Sequence, residues 1–189
     1  LMHIPTAKFG KLKTIDRIEI ESYHTIQNLI SEYISSKNAN RPLSIAIFGT
    51  PGSGKSYGLN QMAISKFSES IKKVDYNISQ FSTSLELQKA FHQISDSNLE
   101  GKIPFVIFDE FDSYFHENWG WLKYFLSPMQ DGVYKDEEGF HPIGKAIFVF
   151  VGGTSSSFSE FRGEEIKIEK EKQLFLNKFR DSKGPDFIS

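Results

Sequence analysis

The sequence contains no cysteine. That absence removes disulfides, thiolate nucleophiles and cysteine-based zinc sites from consideration. Long apolar runs are missing as well. The longest clean stretch, Ala146 to Val151, is far short of the roughly 20 residues that span a bilayer. No signal-peptide or lipidation pattern opens the sequence, so the expectation is a soluble, cytoplasmic domain with no membrane partner. An excess of charge of one sign is also lacking. With 22 Lys plus Arg against 24 Asp plus Glu, the formal net charge is −2. This balance argues against a dedicated binder of nucleic acid or anionic membrane, while leaving room for a local basic patch. No internal repeat, low-complexity tract or interdomain linker is visible. What is present suits one α/β domain that needs no covalent staple: 189 residues, 39% hydrophobic and 24% charged.

Hydrophobic periodicity orders the chain. The stretch to about Asp16 is mixed, with Phe9 and Leu12 expected to pack on the domain edge. Tyr23, Ile26, Leu29, Ile30, Tyr33 and Ile34 then have helical spacing, ended by Ser35 to Asn38. Leu43 to Phe48 reads as a buried strand, and a helix starts near Lys55 with Leu59, Met62, Ala63 and Phe67 on one face. A strand is predicted over Val74 to Phe81. Thr83 and Glu86 have capping-box spacing ahead of a helix carrying Leu87, Ala90, Phe91 and Ile94. Ile103 to Phe108 is a third strand, its Pro104 tolerable only near the start. The aromatic stretch Trp119 to Leu126 predicts a helix packed on the sheet, and Asp131-Gly132 and Glu138-Gly139 bracket a hairpin-like segment. Ala146 to Val151 gives a fourth strand, followed by a charged helix from about Glu164 to Arg180. Strands alternating with helices imply a parallel sheet covered on both faces.

Two patterns carry chemistry. Gly49-Thr50-Pro51-Gly52-Ser53-Gly54-Lys55-Ser56 matches G-x-x-x-x-G-K-[ST] without a gap, with a strand before it and a helix after it. Such a loop turns backbone N–H groups onto phosphate oxygens at a helix N-terminus. Lys55 supplies a point charge near the β- and γ-phosphates, and the Ser56 hydroxyl is a Mg²⁺ ligand. The second pattern is the hydrophobic strand Ile103 to Phe108 ending in Asp109-Glu110. Brought beside the loop, Asp109 would hold Mg²⁺ through its hydration shell, and Glu110 would polarise the attacking water. Adjacent acids suit water activation better than transfer to a small molecule, for which no acceptor pocket is evident. Asp112 reads as a solvated or helix-capping acid.

With these two motifs the chain resembles the AAA+ ATPases, most closely the Clp-type members, over roughly residues 40 to 189. The first motif is similar to Walker A, and Phe105 to Glu110 to Walker B. Ala146 to Thr154 resembles the sensor-1 strand, whose terminal polar residue contacts the γ-phosphate or water; Thr154 matches that position, with Ser155 as the alternative. Leu126 to Lys145 is similar to the segment before sensor 1, and Pro185-Asp186-Phe187-Ile188-Ser189 to the stretch just before the arginine finger. The resemblance implies a three-layer αβα sandwich with a mainly parallel sheet, the P-loop NTPase fold of an AAA+ core. It divides the chain into an N-terminal segment and helix (1–40) packing on a nucleotide-binding core (41–189). It implies ATP and Mg²⁺ as cofactors and Gly49 to Ser56 with Tyr57 as nucleotide contacts. Ser56 and Asp109 become the metal ligands, and Lys55, Glu110 and Thr154 the catalytic groups. The finger arginine, fifth strand and lid would lie beyond Ser189. A homo-oligomeric ring acting on a protein or nucleic-acid partner follows from the same resemblance. One departure weighs against polypeptide threading: Ser79 to Ser84 is shorter than the usual pore loop and has no glycine.

A different class stays open, a nucleotide-operated switch or assembly module with little hydrolysis of its own. The remaining features read as structural. His3, His24, His92, His116 and His141 show no metal-ligand spacing, and Gly152-Gly153 with the following serines lacks the G-x-S-x-G pattern.

Overall fold

The computed structural model describes residues 6–115 and 118–189; His3 and His116 lie outside them. β1 (Ala7–Phe9) and β2 (Leu12–Thr14) form a small antiparallel hairpin. Asp16 caps α1 (Arg17–Ser35), its Oδ1 accepting the N–H groups of Ile18 and Glu19 at 2.8 and 3.2 Å. β3 (Leu43–Ile47) runs through the glycine-rich loop into α2 (Lys55–Phe67). β4 (Ile71–Asn77), α3 (Ser84–Leu99), β5 (Ile103–Asp109) and α4 (Leu122–Gln130) follow. The hairpin β6 (Val133–Lys135) and β7 (Phe140–Pro142) precedes β8 (Ile147–Val151), and the chain closes with α5 (Phe158–Phe161), α6 (Glu169–Asp181) and α7 (Gly184–Phe187).

Four strands make one all-parallel sheet in the order β3-β8-β5-β4. Side chains on a strand alternate between faces, and the two central strands divide their residues accordingly. Val106, Phe108, Phe148 and Phe150 enter one hydrophobic cluster, whereas Phe105, Ile107, Ile147, Val149 and Val151 enter the other. The first cluster is aromatic and is covered by α3, α4 and the C-terminal helices through Phe91, Phe125, Phe179 and Phe187. The second is mostly aliphatic and is covered by α1, α2 and Phe9 of β1. Helices on both faces of a parallel sheet make the fold a three-layer α/β/α sandwich. Pro104 fits the interior because pairing between β5 and β8 begins only at Phe105, so no donor is required of it there.

Several elements differ in extent from the sequence expectation. The second strand begins at Ile71 and ends at Asn77, not at Phe81. Asn77 Oδ1 accepts the N–H of Ser79 at 3.0 Å and starts a 3₁₀ turn over Ile78–Gln80, which takes the backbone out of the sheet. The aromatic helix starts at Leu122, because Trp119 to Trp121 form turns in which Trp119 O and Trp121 O accept from Leu122 and Tyr124. It also continues through Pro128 to Gln130. The charged helix starts at Glu169 rather than Glu164. Gly163 breaks the segment at φ +72, and the Phe175 ring lies so close that a Cβ there would be 2.4 Å from it. The capping box at Thr83 and Glu86 is present, with Glu86 accepting the N–H groups of Ser82 and Thr83 at 2.6 and 3.0 Å. These two backbone donors hold the Glu86 carboxyl below its usual range.

Candidate functional site

β3, β8 and β5 are parallel neighbours, so their C-terminal ends and the loops that follow emerge at the same edge of the sheet, where open α/β folds bind ligands. A cavity of about 300 Å³ opens there. Residues 51–57, the pair Asp109 and Glu110, and residues 151–153 line it. The sheet order explains the convergence: β8 lies between the loop-bearing strand and the acid-bearing strand, and Gly152 N–H donates to Ile47 O at 2.8 Å. Two larger grooves lie elsewhere and include neither Asp109 nor Glu110. One of about 660 Å³ lies beside Arg41 and Gln130; another, of about 900 Å³, runs along the outer edge of β3 and adjoins the loop at Ser53 and Lys55.

The loop has the form of an anion cradle. Gly52 and Gly54 adopt left-handed backbone at φ +74 and +79, and a Cβ on either would meet nothing within 4 Å. The concavity is therefore open space. Among the described residues the N–H groups of Gly54, Lys55 and Ser56 find no acceptor, and they stand at the N-terminus of the 13-residue α2. Lys55 Nζ donates to the carbonyls of Gly49 and Thr50 at 2.6 and 2.9 Å, which holds the ammonium over the loop without neutralising it. Unused backbone donors, an ammonium hydrogen-bonded only to carbonyls and open space fit a polyphosphate.

Ser56 Oγ donates to Asp109 Oδ2 at 2.7 Å. Two hard oxygen groups side by side suit Mg²⁺, which takes one or two protein oxygens and completes its shell with water and phosphate. Among the described residues no group of three His, Asp or Glu is arranged to hold a metal by itself. Glu110 follows at φ +53, an uncommon conformation for a side chain of this size. It packs against Gly153, where a Cβ would approach Glu110 Cγ to 2.4 Å.

Most of the expected contact residues come together at this edge. Gly49 and Thr50 enter through their carbonyls rather than the cavity wall, and Tyr57 is exposed at its rim. Thr154 is exposed and lies one residue beyond Gly153, the last lining residue of its loop; Ser155 is buried. Asp112 differs from the expectation of a solvated or capping acid. It is fully buried, its Oδ1 accepting the N–H groups of Gly153 and Thr154 at 2.8 and 3.2 Å. Its Oδ2 accepts those of Thr154 and Ser155 at 3.1 and 2.7 Å. These donors come from a loop more than 40 positions away, so no local pattern announced them. The only sequence hint was a third acid close behind the pair.

No family model matches the sequence, and no curated protein matches it. Among solved structures, it overlaps NtrX from Brucella abortus in complex with ATP at 13% identity and a TM-score of 0.45, over 84% of this chain and 34% of that one. The ADP complex of NtrX overlaps at 14% identity and 0.42, over 81% and 34%. The ORC2 protein of Aeropyrum pernix in its ADP form overlaps at 12% identity and 0.44, over 83% and 45%. The chain spans about a third of NtrX and under half of ORC2. Likeness at this level carries no functional inference; the chain's own site geometry does.

Proposed function

We propose that this chain is the nucleotide-binding core of an AAA+ ATPase, which binds ATP with Mg²⁺ and hydrolyses the β–γ phosphoanhydride. One observation carries the proposal: the sheet brings an open anion cradle, with the Lys55 ammonium over it, against Asp109 and Glu110, the two joined by the Ser56–Asp109 bond of 2.7 Å. In this reading residues 49–57 hold the nucleotide, and Ser56 with Asp109 would hold Mg²⁺. The metal, when bound, neutralises charge on the β- and γ-phosphate oxygens. Lys55 offers its charge to the same oxygens. Glu110, half-buried at the cavity wall, would orient the attacking water and take its proton as the water oxygen bonds to phosphorus and the β–γ bridging oxygen leaves with ADP. Thr154, exposed one residue beyond the cavity wall, is assigned to γ-phosphate or water contact by resemblance.

Residues 1–40 are assigned as a segment packed on the core at residues 41–189. α1 supports that assignment, since Gln27 Nε2 donates to Met62 O at 3.3 Å and Tyr23 sits over Gly58 of α2. No helix among the described residues is long and apolar enough to cross a membrane, which fits a cytoplasmic location. A homo-oligomeric ring that remodels a protein or nucleic-acid partner is the wider role we assign to the whole protein.

The test is titration of a fluorescent ATP analogue into the wild-type chain and Lys55→Ala, with and without Mg²⁺. Tight, Mg²⁺-dependent binding lost in the variant is expected. Equal affinities would sink the assignment. Binding without Glu110-dependent hydrolysis, even in an oligomer-competent longer chain, would favour the nucleotide-operated switch instead.

A further inference from the structure

Asp112 takes no direct part in the reaction described above, yet it is the most completely satisfied carboxylate in the neighbourhood of the site. A carboxylate with no solvent exposure is costly unless donors replace the lost water. Here three successive backbone N–H groups, from Gly153, Thr154 and Ser155, fill both of its oxygens. Asp112 lies two residues after Glu110, in the same turn, which Ser113 N–H closes by donating to Glu110 O at 3.0 Å. The loop it grips is the loop whose Gly153 touches Glu110. That loop is also tied on its other side, through Gly152 N–H to Ile47 O at the end of the strand leading into the phosphate loop.

The contact with Glu110 is close enough to be directional. Any Cβ at position 153 would come within 2.4 Å of Glu110 Cγ and 3.1 Å of its Cβ. Glu110 in turn keeps a left-handed backbone, φ +53, that an unsupported turn would abandon for a commoner conformation. The loop that stacks against it can therefore set where its carboxylate points, provided the loop itself is held.

We infer that Asp112 is a positioning residue for hydrolysis: by gripping the N–H groups of residues 153–155 it holds Gly153 against Glu110 and fixes the direction of the water-polarising carboxylate. This rests on the hydrolytic role proposed for Glu110. Asp112 is buried and lies outside the cavity lining. It acts on Glu110 through Gly153. The pair makes two chemically unlike predictions converge. Asp112→Asn turns an NH₂ group toward one end of the loop, donor against donor, and releases that end. Gly153→Ala keeps every bond to Asp112 and pushes Glu110 aside directly.

The experiment is single-turnover hydrolysis of γ-labelled ATP with protein in excess, for wild type, Asp112→Asn, Gly153→Ala, the double variant and Glu110→Gln. Each is read well below its melting midpoint, alongside titration with the fluorescent ATP analogue. We expect each single variant to lose roughly 10- to 100-fold in rate, with affinity for the analogue within about threefold of wild type. The double variant should be no slower than the slower single one, because both changes break one linkage. A purely structural role would lower the melting midpoint while leaving the rate at low temperature unchanged, and that result overturns the inference. So do rate losses that multiply in the double variant. Should Asp112→Asn fail to fold, Gly153→Ala still decides, since an unchanged rate there removes the contact from the mechanism. A wild-type rate no faster than that of Glu110→Gln also overturns the positioning role, while analogue binding that Lys55→Ala abolishes would leave the nucleotide site standing. Loss of analogue binding by the wild type would instead overturn the nucleotide reading itself.

Discussion

Two glycine-containing loops leave adjacent parallel strands at the same edge of the sheet, one at residues 49–54 and the other at residues 152–155. Both present successive backbone N–H groups to a concavity. In the second, the concavity is filled from within, by the carboxylate of Asp112. In the first it is open, with a lysine poised beside it. The same local device, an array of oriented N–H dipoles that attracts an anion, is thus filled from within in one loop and left open in the other. An internal anion costs no association entropy and stays with the fold; an external one must be bought from solution but can be exchanged. The filled loop should therefore show its energy in the stability of the free chain, the open one only when ligand is present.

The largest effect is expected at Glu110, which stands between the loops. Glu110→Gln should reduce single-turnover hydrolysis by about 10² to 10⁴ while analogue affinity stays within a few-fold, as measured by quench and titration. If the rate were unchanged, neither loop would have a catalytic carboxylate to serve. Next comes Lys55→Ala. Losing charge-assisted bonds to phosphate should weaken Mg·ATP binding roughly 100-fold, with little change in the melting midpoint of the free chain. The thermal shift given by saturating Mg·ATP to the wild type, equivalent to about 2.7 kcal/mol at 100 times Kd, should shrink accordingly. A large drop in the midpoint of ligand-free Lys55→Ala would show that the open loop also holds the fold together.

The filled loop predicts the reverse. Asp112→Asn should destabilise the ligand-free chain by about 1–3 kcal/mol, since it leaves a buried donor facing a donor; urea unfolding measures this. Stability equal to wild type would mean the loop holds its shape without the carboxylate.

The smallest effect concerns a third carboxylate, remote from both loops. Asp136 joins β6–β7 to α3 by accepting from His92 Nε2 at 2.8 Å and His141 Nε2 at 2.9 Å. Burial pushes its carboxyl upward, but the bond from His141 and the N–H groups of Glu138 and Gly139 pull it further down, so the net shift is below its ordinary value. A carboxyl lowered in the native state adds stability above its unfolded pKa of about 3.9 and loses it as pH falls through the native value. Unfolding followed from pH 6 downward should show a slightly shallower acid limb for Asp136→Asn than for wild type, with nucleotide affinity unaffected. Weaker nucleotide binding in that variant would tie the hairpin to the site.

Much of this was legible in the residues alone, and for local reasons. The motif at residues 49–56 announces its loop because glycine at fixed spacing is itself the conformational requirement, as φ at Gly52 and Gly54 bears out. The central strands were visible because burial on both faces leaves an unbroken apolar run, Ile103 to Phe108 and Ala146 to Val151. The edge strand begins three residues before its predicted start, since Lys72 and Lys73 interrupt its pattern. The starts of α4 and α6 fall later than the periodicity predicts, because turns at Trp119 to Trp121 and at Gly163 depend on ring packing from distant residues.

The glycine-rich loop, the alternation of strands and helices, and the acid pair at the end of β5 are each written within a few consecutive residues, which is why the sequence alone reveals them. Only the tertiary structure decided that β8 lies between β3 and β5, that Gly153 bears on Glu110, and that Asp112 is buried under the loop of residues 153–155. Strand order and cross-loop hydrogen bonds join residues some 40 to 100 positions apart, and periodicity within a short window holds no record of which distant partner a strand end or a carboxylate will meet.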